Sequence, residues 1–156
     1  MAIYLKLDSI KGSVTDSAFK DQIECQSFQF GAGVSVASAR GGDRTASEPS
    51  VSEITVTKQL DKASEGLFKS LLKGESIGSG TISFTSAAKG ESVAFATIDL
   101  SDVIISGFSQ STGGDIPTES VSINISKFTY TFNARDMSQG ASPSRLVYDL
   151  SQNKVG

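Results

Sequence analysis

Few side chains in this sequence could carry chemistry. The 156 residues include no histidine, which removes the usual general base for a serine or cysteine nucleophile and the commonest metal ligand. Cys25 is the only cysteine, so neither an intrachain disulfide nor a cysteine zinc cluster can form. Its position in a predicted strand, between Glu24 and Gln26, favours a small buried side chain. Because the sequence has no histidine, hydrolases of the Ser-His-Asp type are excluded.

The remaining candidates for chemistry are carboxylate pairs and one glycine pair. Asp99 with Asp102, and Asp115 with Glu119, could serve acid-base catalysis or bind a cation, but carboxylates in loops are usually solvated. The Gly31-Ala32-Gly33 stretch follows a strand, yet no helix comes after it and the sequence has no phosphate-binding loop motif. We therefore expect no catalytic site, no cofactor and no metal, and the chain is not expected to be an enzyme.

Charge and hydropathy limit the partners further. The net charge is −3 and the sequence pI is about 4.9, whereas binding to nucleic acid or to an anionic membrane needs a basic patch. No stretch approaches the roughly 20 apolar residues of a membrane span, and the N-terminus lacks the pattern of a signal peptide. We expect one domain over residues 1–156, made in the cytoplasm, with no nucleic acid partner and no membrane insertion.

The elements that must position these residues centre on the stretch from Val51 to Gly74. Its first part alternates, with Ile54, Val56, Lys58 and Leu60 on one parity, which predicts a half-buried strand. The pattern then changes to four large apolar residues at helical spacing, which predicts a helix over about residues 64–73. These four, which a sheet or barrel end should cover, are Leu67, Phe68, Leu71 and Leu72. Ser64 is the expected N-cap and Gly74 the expected end of the helix.

Most other segments read as strands separated by turns. Alternating or apolar stretches predict strands over residues 2–8, 22–36, 51–60, 78–87, 92–100 with a continuation to 108, 118–133 and 145–150. Parity changes near Gln26-Ser27 and Ser126-Lys127 predict β-bulges. Because turns rather than helices join these strands, we predict a mainly β fold: a two-sheet antiparallel β-barrel of about eight strands with the short α-helix packed against it.

Four segments together resemble the hemolysin-coregulated protein (Hcp) family of bacterial type VI secretion systems. They are IYLKLDSIKGSVTDSAFKDQIECQSFQFG near the start, VTKQLDKASEGLFKSLLKGE around the helix, STGGDIPTESVSINISKFTYTF, and LVYDLSQNKVG at the end. Their order and spacing over residues 3 to 154 carry the resemblance. It implies a tube subunit: six copies form a ring with a wide lumen, and rings stack into a tube.

The same resemblance implies the partners and the route of export. A contractile sheath would expel the tube with its spike, effector proteins could travel in the lumen, and the protein would leave the bacterial cytoplasm without a signal peptide. Head-to-tail stacking uses two different surfaces of each subunit and grows a filament. Loops at opposite ends of the barrel are then the expected contacts. The candidate residues in them are Arg40, Gly41, Gly42, Asp43, Arg44, Gly113, Gly114 and Asp115.

One alternative remains open from the residues alone. The aromatic side chains could line a pocket for a small apolar ligand inside a monomeric barrel, instead of packing as a core. That alternative requires an interior cavity, and a filled interior would argue against it.

Overall fold

A computed structural model describes residues 1–37, 45–133 and 144–156 of the chain, and for Ala88 the backbone only. Within these residues the elements are one helix and twelve strand segments, and every strand pairing is antiparallel. The strands are β1 (Ala2–Leu7), β2 (Ile23–Cys25), β3 (Ser27–Gln29), β4 (Ala32–Gly33), β5 (Ser50–Val51), β6 (Ile54–Gln59), β7 (Gly78–Ala88), β8 (Glu91–Ser111), β9 (Thr118–Asn124), β10 (Lys127–Phe132), β11 (Ser144–Asp149) and β12 (Lys154–Val155). The helix is α1 (Ser64–Lys73).

The long strand β8 organises the two sheets. Its first half pairs with β7 and β10 in a sheet ordered β12-β11-β10-β8-β7-β1-β2, and its second half pairs with β9 in a sheet that continues to β6 and β3. Asp102, at the change between the two halves, has a φ of +53°. Because β8 belongs to both sheets, it forms a corner that joins them.

The two predicted parity changes mark places where the chain leaves one sheet for the other. Strands β2 and β3 lie on either side of Gln26, whose N–H donates to the Thr57 carbonyl at 2.6 Å. Strand β2 pairs with β1, whereas β3 pairs with β6. Likewise β9 lies in the second sheet and β10 in the first. The predicted positions are correct, but the prediction of β-bulges within one strand is wrong: at each position one strand ends and the next begins in the other sheet. This is one reason that twelve described segments replace the expected eight or so.

The core fills the space between the sheets. Within the described residues, the largest fully buried apolar side chains come from both sheets and the helix, and they are Leu5, Ile23, Ile54, Val56, Leu67, Ile82, Ile98, Leu100, Ile105 and Ile123. Phe28 and Phe30 pack against this core, and Phe30 meets Phe128 edge to face with ring centroids 5.1 Å apart. These three aromatic side chains are thus packing groups, and the described interior gives no support to a pocket for an apolar ligand.

The helix has the predicted bounds, but its N-cap residue and the exposure of its apolar side chains differ from the prediction. Ser64 is the first helical residue, Ala63 occupies the N-cap position without a side-chain cap, and the Asp61 carboxylate accepts the Ala63 N–H at 2.9 Å. The end is as predicted, because Gly74 adopts φ +66° and donates to the carbonyls of Ser70 and Leu71. The expectation that all four large apolar residues are covered is wrong: Leu67 is buried and Leu71 half-buried, but Phe68 and Leu72 are exposed.

A Leu67→Ala variant should lose about 2–5 kcal/mol of unfolding free energy, because Leu67 is fully buried and its truncation leaves a cavity. Leu72→Ala is the matched control on the same helix. Its side chain is 69% exposed, so its effect should stay within about 0.5 kcal/mol. Urea unfolding followed by circular dichroism measures both. Equal losses for the two variants would contradict the orientation of α1.

Candidate functional site

A buried ion pair links the second sheet to the helix. The side chains of Lys58 on β6 and Glu119 on β9 are both 0% exposed, and Lys58 Nζ lies 2.5 Å from Glu119 Oε1. The two residues are direct cross-strand neighbours in the β6–β9 register. Burying two charges away from water is unfavourable unless they are paired and hydrogen-bonded, so the groups around this pair must complete it.

Those groups come from the helix start and from β8. Ser64 Oγ donates to Glu119 Oε1 at 2.7 Å, and Gln110 Nε2 donates to Glu119 Oε2 at 2.7 Å. Asp61 Oδ1 lies 2.9 Å from Lys58 Nζ. Burial alone would raise the pKa of Glu119, but the hydrogen bonds from Lys58, Ser64 and Gln110, with the charge of Lys58, outweigh it and lower that pKa below the usual range. The cluster is therefore a structural clamp in its charged form.

Sequence reasoning missed this clamp, although a signal was present. Glu119 was expected to be a solvated loop carboxylate, and this is wrong: it lies in β9 and is fully buried, whereas its proposed partner Asp115 is exposed in the preceding loop. The parity of β6 places Lys58 on the inward side with Ile54 and Val56. A lysine at an inward position needs a buried partner, and that requirement could have directed the search to Glu119.

The ion pair should make stability depend on acid pH. Because the pKa of Glu119 is lower when folded than when unfolded, its contribution is complete above the unfolded value of about 4.3 and is lost as pH falls through the folded value. The difference in unfolding free energy between wild type and Glu119→Gln should therefore shrink between pH 6 and pH 3. Urea unfolding at both pH values measures it. A difference that stays constant would contradict the assignment.

The other groups singled out in the sequence do not form a reactive site. Burial raises the pKa of the Cys25 thiol to about 12, so the thiolate is scarce at neutral pH. Asp99 accepts a hydrogen bond from Thr81 Oγ1 at 2.9 Å at the surface of the first sheet. Among the described residues, no cluster of three or more acidic or cysteine side chains could hold a metal ion. No described helix has the length and apolar character needed to cross a bilayer.

The described parts of the two predicted contact loops lie at opposite ends of β6. Before β6, residues 31–37 and 45–52 form a two-stranded arm, held by β4–β5 pairing and by backbone bonds such as Ser47 N–H to the Ser35 carbonyl at 2.8 Å. After β6, Leu60 N–H donates to the Pro117 carbonyl at 2.9 Å, which places the 111–117 loop at the other end. At about 3.4 Å per residue, the six residues of β6 separate arm and loop by roughly 17 Å.

The individual candidate contacts are placed only in part. Arg40, Gly41, Gly42, Asp43 and Arg44 lie outside the described residues, and the arm leads into them. Gly113, Gly114 and Asp115 are exposed in the 111–117 loop. There Thr112 Oγ1 donates to the Asp115 carbonyl at 2.7 Å, and Gly114 has a φ of +114°, which an L side chain rarely adopts. Their role in assembly stays a prediction.

Strands β10 and β11 carry exposed apolar side chains in line with the buried core residues of β7 and β8. In the strand register, Ile82, Ile98, Tyr130 and Leu146 form one row across β7, β8, β10 and β11, and directly opposed residues share a face. Their exposures along the row are 0%, 1%, 39% and 47%. Phe132, two residues after Tyr130, is also exposed. We call Tyr130, Phe132 and Leu146 the wing face. None of the residues that the structure describes packs over it fully.

A family model described as "Type VI secretion system effector, Hcp" matches residues 4–132. That is most of the chain. The chain belongs to the Hcp family. The resemblance carried by the four sequence segments is thereby confirmed. Among curated proteins, a sequence search finds no match to this Hcp-family chain.

Solved structures share its fold. A structure described as a type six secretion system protein aligns with a TM-score of 0.90 at 24% identity, covering 99% of each chain. Hcp1 from Salmonella typhimurium aligns with a TM-score of 0.81 at 23% identity, covering 99% of this chain and 98% of its own. A type VI secretion system effector from Yersinia pestis gives 0.75 at 23% identity, covering 94% and 98%. At these identities the likeness establishes the fold of this Hcp-family chain.

Proposed function

We propose that this chain is the structural subunit of a type VI secretion tube. Six copies form a ring around a lumen, and rings stack head to tail. A contractile sheath expels the tube together with its spike, and effector proteins travel in the lumen. The role is one of assembly and not of catalysis. The protein is made in the bacterial cytoplasm, leaves through the type VI apparatus without a signal peptide, and acts as one domain over residues 1–156.

The observation that carries this proposal is the wing face. Three large apolar side chains extend the core rows of the first sheet into an exposed surface. Monomeric proteins rarely leave contiguous apolar surface uncovered, and such patches mark interaction sites. In a chain of the Hcp family, a neighbouring copy is the partner that accounts for it. A ring forms when each copy offers the wing face to a different surface of the next copy.

The arrangement of the two loops supports stacking along one axis. The arm and the 111–117 loop lie at opposite ends of β6, and we propose that one contacts the ring above and the other the ring below. We propose that Arg40, Gly41, Gly42, Asp43 and Arg44 beyond the arm, and Gly113, Gly114 and Asp115 in the loop, make these contacts. Asn153 Nδ2 donates to Glu48 Oε2 at 3.3 Å, which ties the base of the arm to the C-terminal segment.

Native mass spectrometry of the full chain tests the proposal. We expect a species of roughly six times 16.3 kDa, and negative-stain images should show rings with an open centre. A protein that stays monomeric over a wide range of concentration in both measurements would overturn the proposal.

A further inference from the structure

A second exposed apolar region lies beside the helix, away from the wing face. It is a groove of about 390 Å³ between the end of β6, one side of α1 and the end of β8. Its lining residues are Leu60, Ser64, Glu65, Phe68, Phe108 and Gln110. Phe68 stacks on Phe108 with ring centroids 5.1 Å apart. The floor is rigid, because Ser64 and Gln110 both hold the buried Glu119 carboxylate.

Large apolar side chains surround this groove without being needed for the core. Leu60 and Phe68 are about half exposed, and Leu72, one turn after Phe68, is more exposed still. Ile116 is also exposed, and the hydrogen bond from Leu60 N–H to Pro117 places it close to Leu60. The buried apolar residue of α1 is Leu67, which does not line the groove. An exposed apolar patch of this kind indicates an interaction site.

A ridge of lysines borders the groove along the helix. Lys69 and Lys73 are exposed and lie at i and i+4 of α1, which places them on one stripe of the helix. Each directly follows an exposed apolar residue of the helix, Phe68 or Leu72. Lys62 is exposed just before the helix begins. Within the described parts of the chain, the only ion pairs are those of Lys58, so this ridge is not neutralised there. Glu65 is the one carboxylate among the groove lining. The ridge is thus a basic patch on a chain whose net charge is −3.

We propose that the groove docks a segment of a partner protein that combines large apolar side chains with neighbouring carboxylates. The apolar side chains cover Phe68 and Leu72, and the carboxylates meet Lys69 and Lys73. Apolar burial supplies affinity, and charge complementarity supplies specificity and a fast encounter. This inference does not rest on ring formation, since the groove and the wing face lie on different elements.

Two short synthetic peptides test the proposal. One carries Leu and Phe at i and i+4 with Glu at the flanking positions, and its twin has Lys in place of each Glu. Fluorescence anisotropy with the full chain measures both, at low and high salt. We expect the acidic peptide to bind at least about tenfold more tightly than its twin and to weaken as salt rises. Equal binding of the twins, or no binding of either, would overturn the proposal.

Variants of the chain locate the binding. Leu72→Ser should weaken binding of the acidic peptide by about tenfold, because it removes an apolar contact. It should not affect folding, because Leu72 is mostly exposed. The double variant Lys69→Glu/Lys73→Glu should reverse the preference in favour of the basic twin. Val155→Ser, at an exposed position of β12 outside the groove and the wing face, is the control and should leave peptide binding unchanged. Unchanged binding in Leu72→Ser would refute the groove as the site.

Analytical sedimentation of the same variants tests whether a second copy of this chain, and not a partner protein, occupies the groove. If a second copy of this chain covers the groove, Leu72→Ser will shift the protein's own oligomeric state, and that result would overturn the partner assignment. If the assignment is right, Leu72→Ser and wild type sediment alike. A failure of ring formation in wild type would overturn the proposed function while leaving the peptide result intact.

Discussion

Glu119→Ala is expected to lower the free energy of unfolding by about 3–5 kcal/mol, because it leaves Lys58 buried without its partner. Lys58 Nζ would retain Asp61, the Ser64 hydroxyl and the Gln59 carbonyl as neighbours. These contacts limit the loss of unfolding free energy, but they do not replace the buried carboxylate of Glu119. Urea or thermal unfolding followed by circular dichroism measures the change.

Two controls identify the cause of that loss. The double variant Lys58→Met/Glu119→Leu removes both charges and fills similar volume, so its stability should return close to that of wild type or exceed it. Glu91→Ala removes an exposed carboxylate at the β7–β8 turn and should change stability by less than about 0.5 kcal/mol. If the double variant is as unstable as Glu119→Ala, the loss comes from packing and the charge argument is wrong.

Leu146→Glu is expected to abolish the hexamer while leaving the subunit folded. Leu146 is 47% exposed in this chain, so a charge there is solvated in the free subunit. In a ring, the same carboxylate would be buried against apolar side chains without a partner, which is strongly unfavourable. Native mass spectrometry should show monomers in place of a species of roughly six subunits.

The matched control for this variant lies on the helix. Leu72→Glu places the same charge on another exposed leucine, away from the wing face, and rings should persist. Urea unfolding should show that both variants stay folded. Persistence of rings in Leu146→Glu would mean that the wing face is not a subunit contact, whereas loss of rings in both variants would point to the helix groove as a second contact.

The buried clamp explains why one part of the sequence was misread. Lys58 and Glu119 are 61 residues apart in sequence, and although the parity of β6 turns Lys58 inward, no local pattern identifies Glu119 as its partner. Only the β6–β9 register brings them opposite each other. The same carboxylate attracts the Ser64 hydroxyl, so a residue that locally favours an N-cap serves instead as a donor to β9.

For the strands, the sequence predicted positions along the chain but not which sheet each strand joins. Alternation located β1, the β7–β8 hairpin and β11 correctly, but β12 after it was not predicted. Lys89 and Gly90 take the positive φ values of a tight hairpin turn. Alternation also located the irregularities near Gln26 and Ser126. It could not show that the chain changes sheets there, because parity records which side a residue faces and not which strand lies beside it.

By itself, the sequence determined the mainly β class, the helix and its glycine end, and the lack of histidine and disulfide chemistry. These follow from composition and from periods of two and 3.6 residues, which are local properties. The tertiary structure decided which charges are buried together and which apolar faces stay uncovered. Phe68 and Tyr130 each sit on an apolar stripe, yet both are exposed, because cover depends on which distant elements pack above a face.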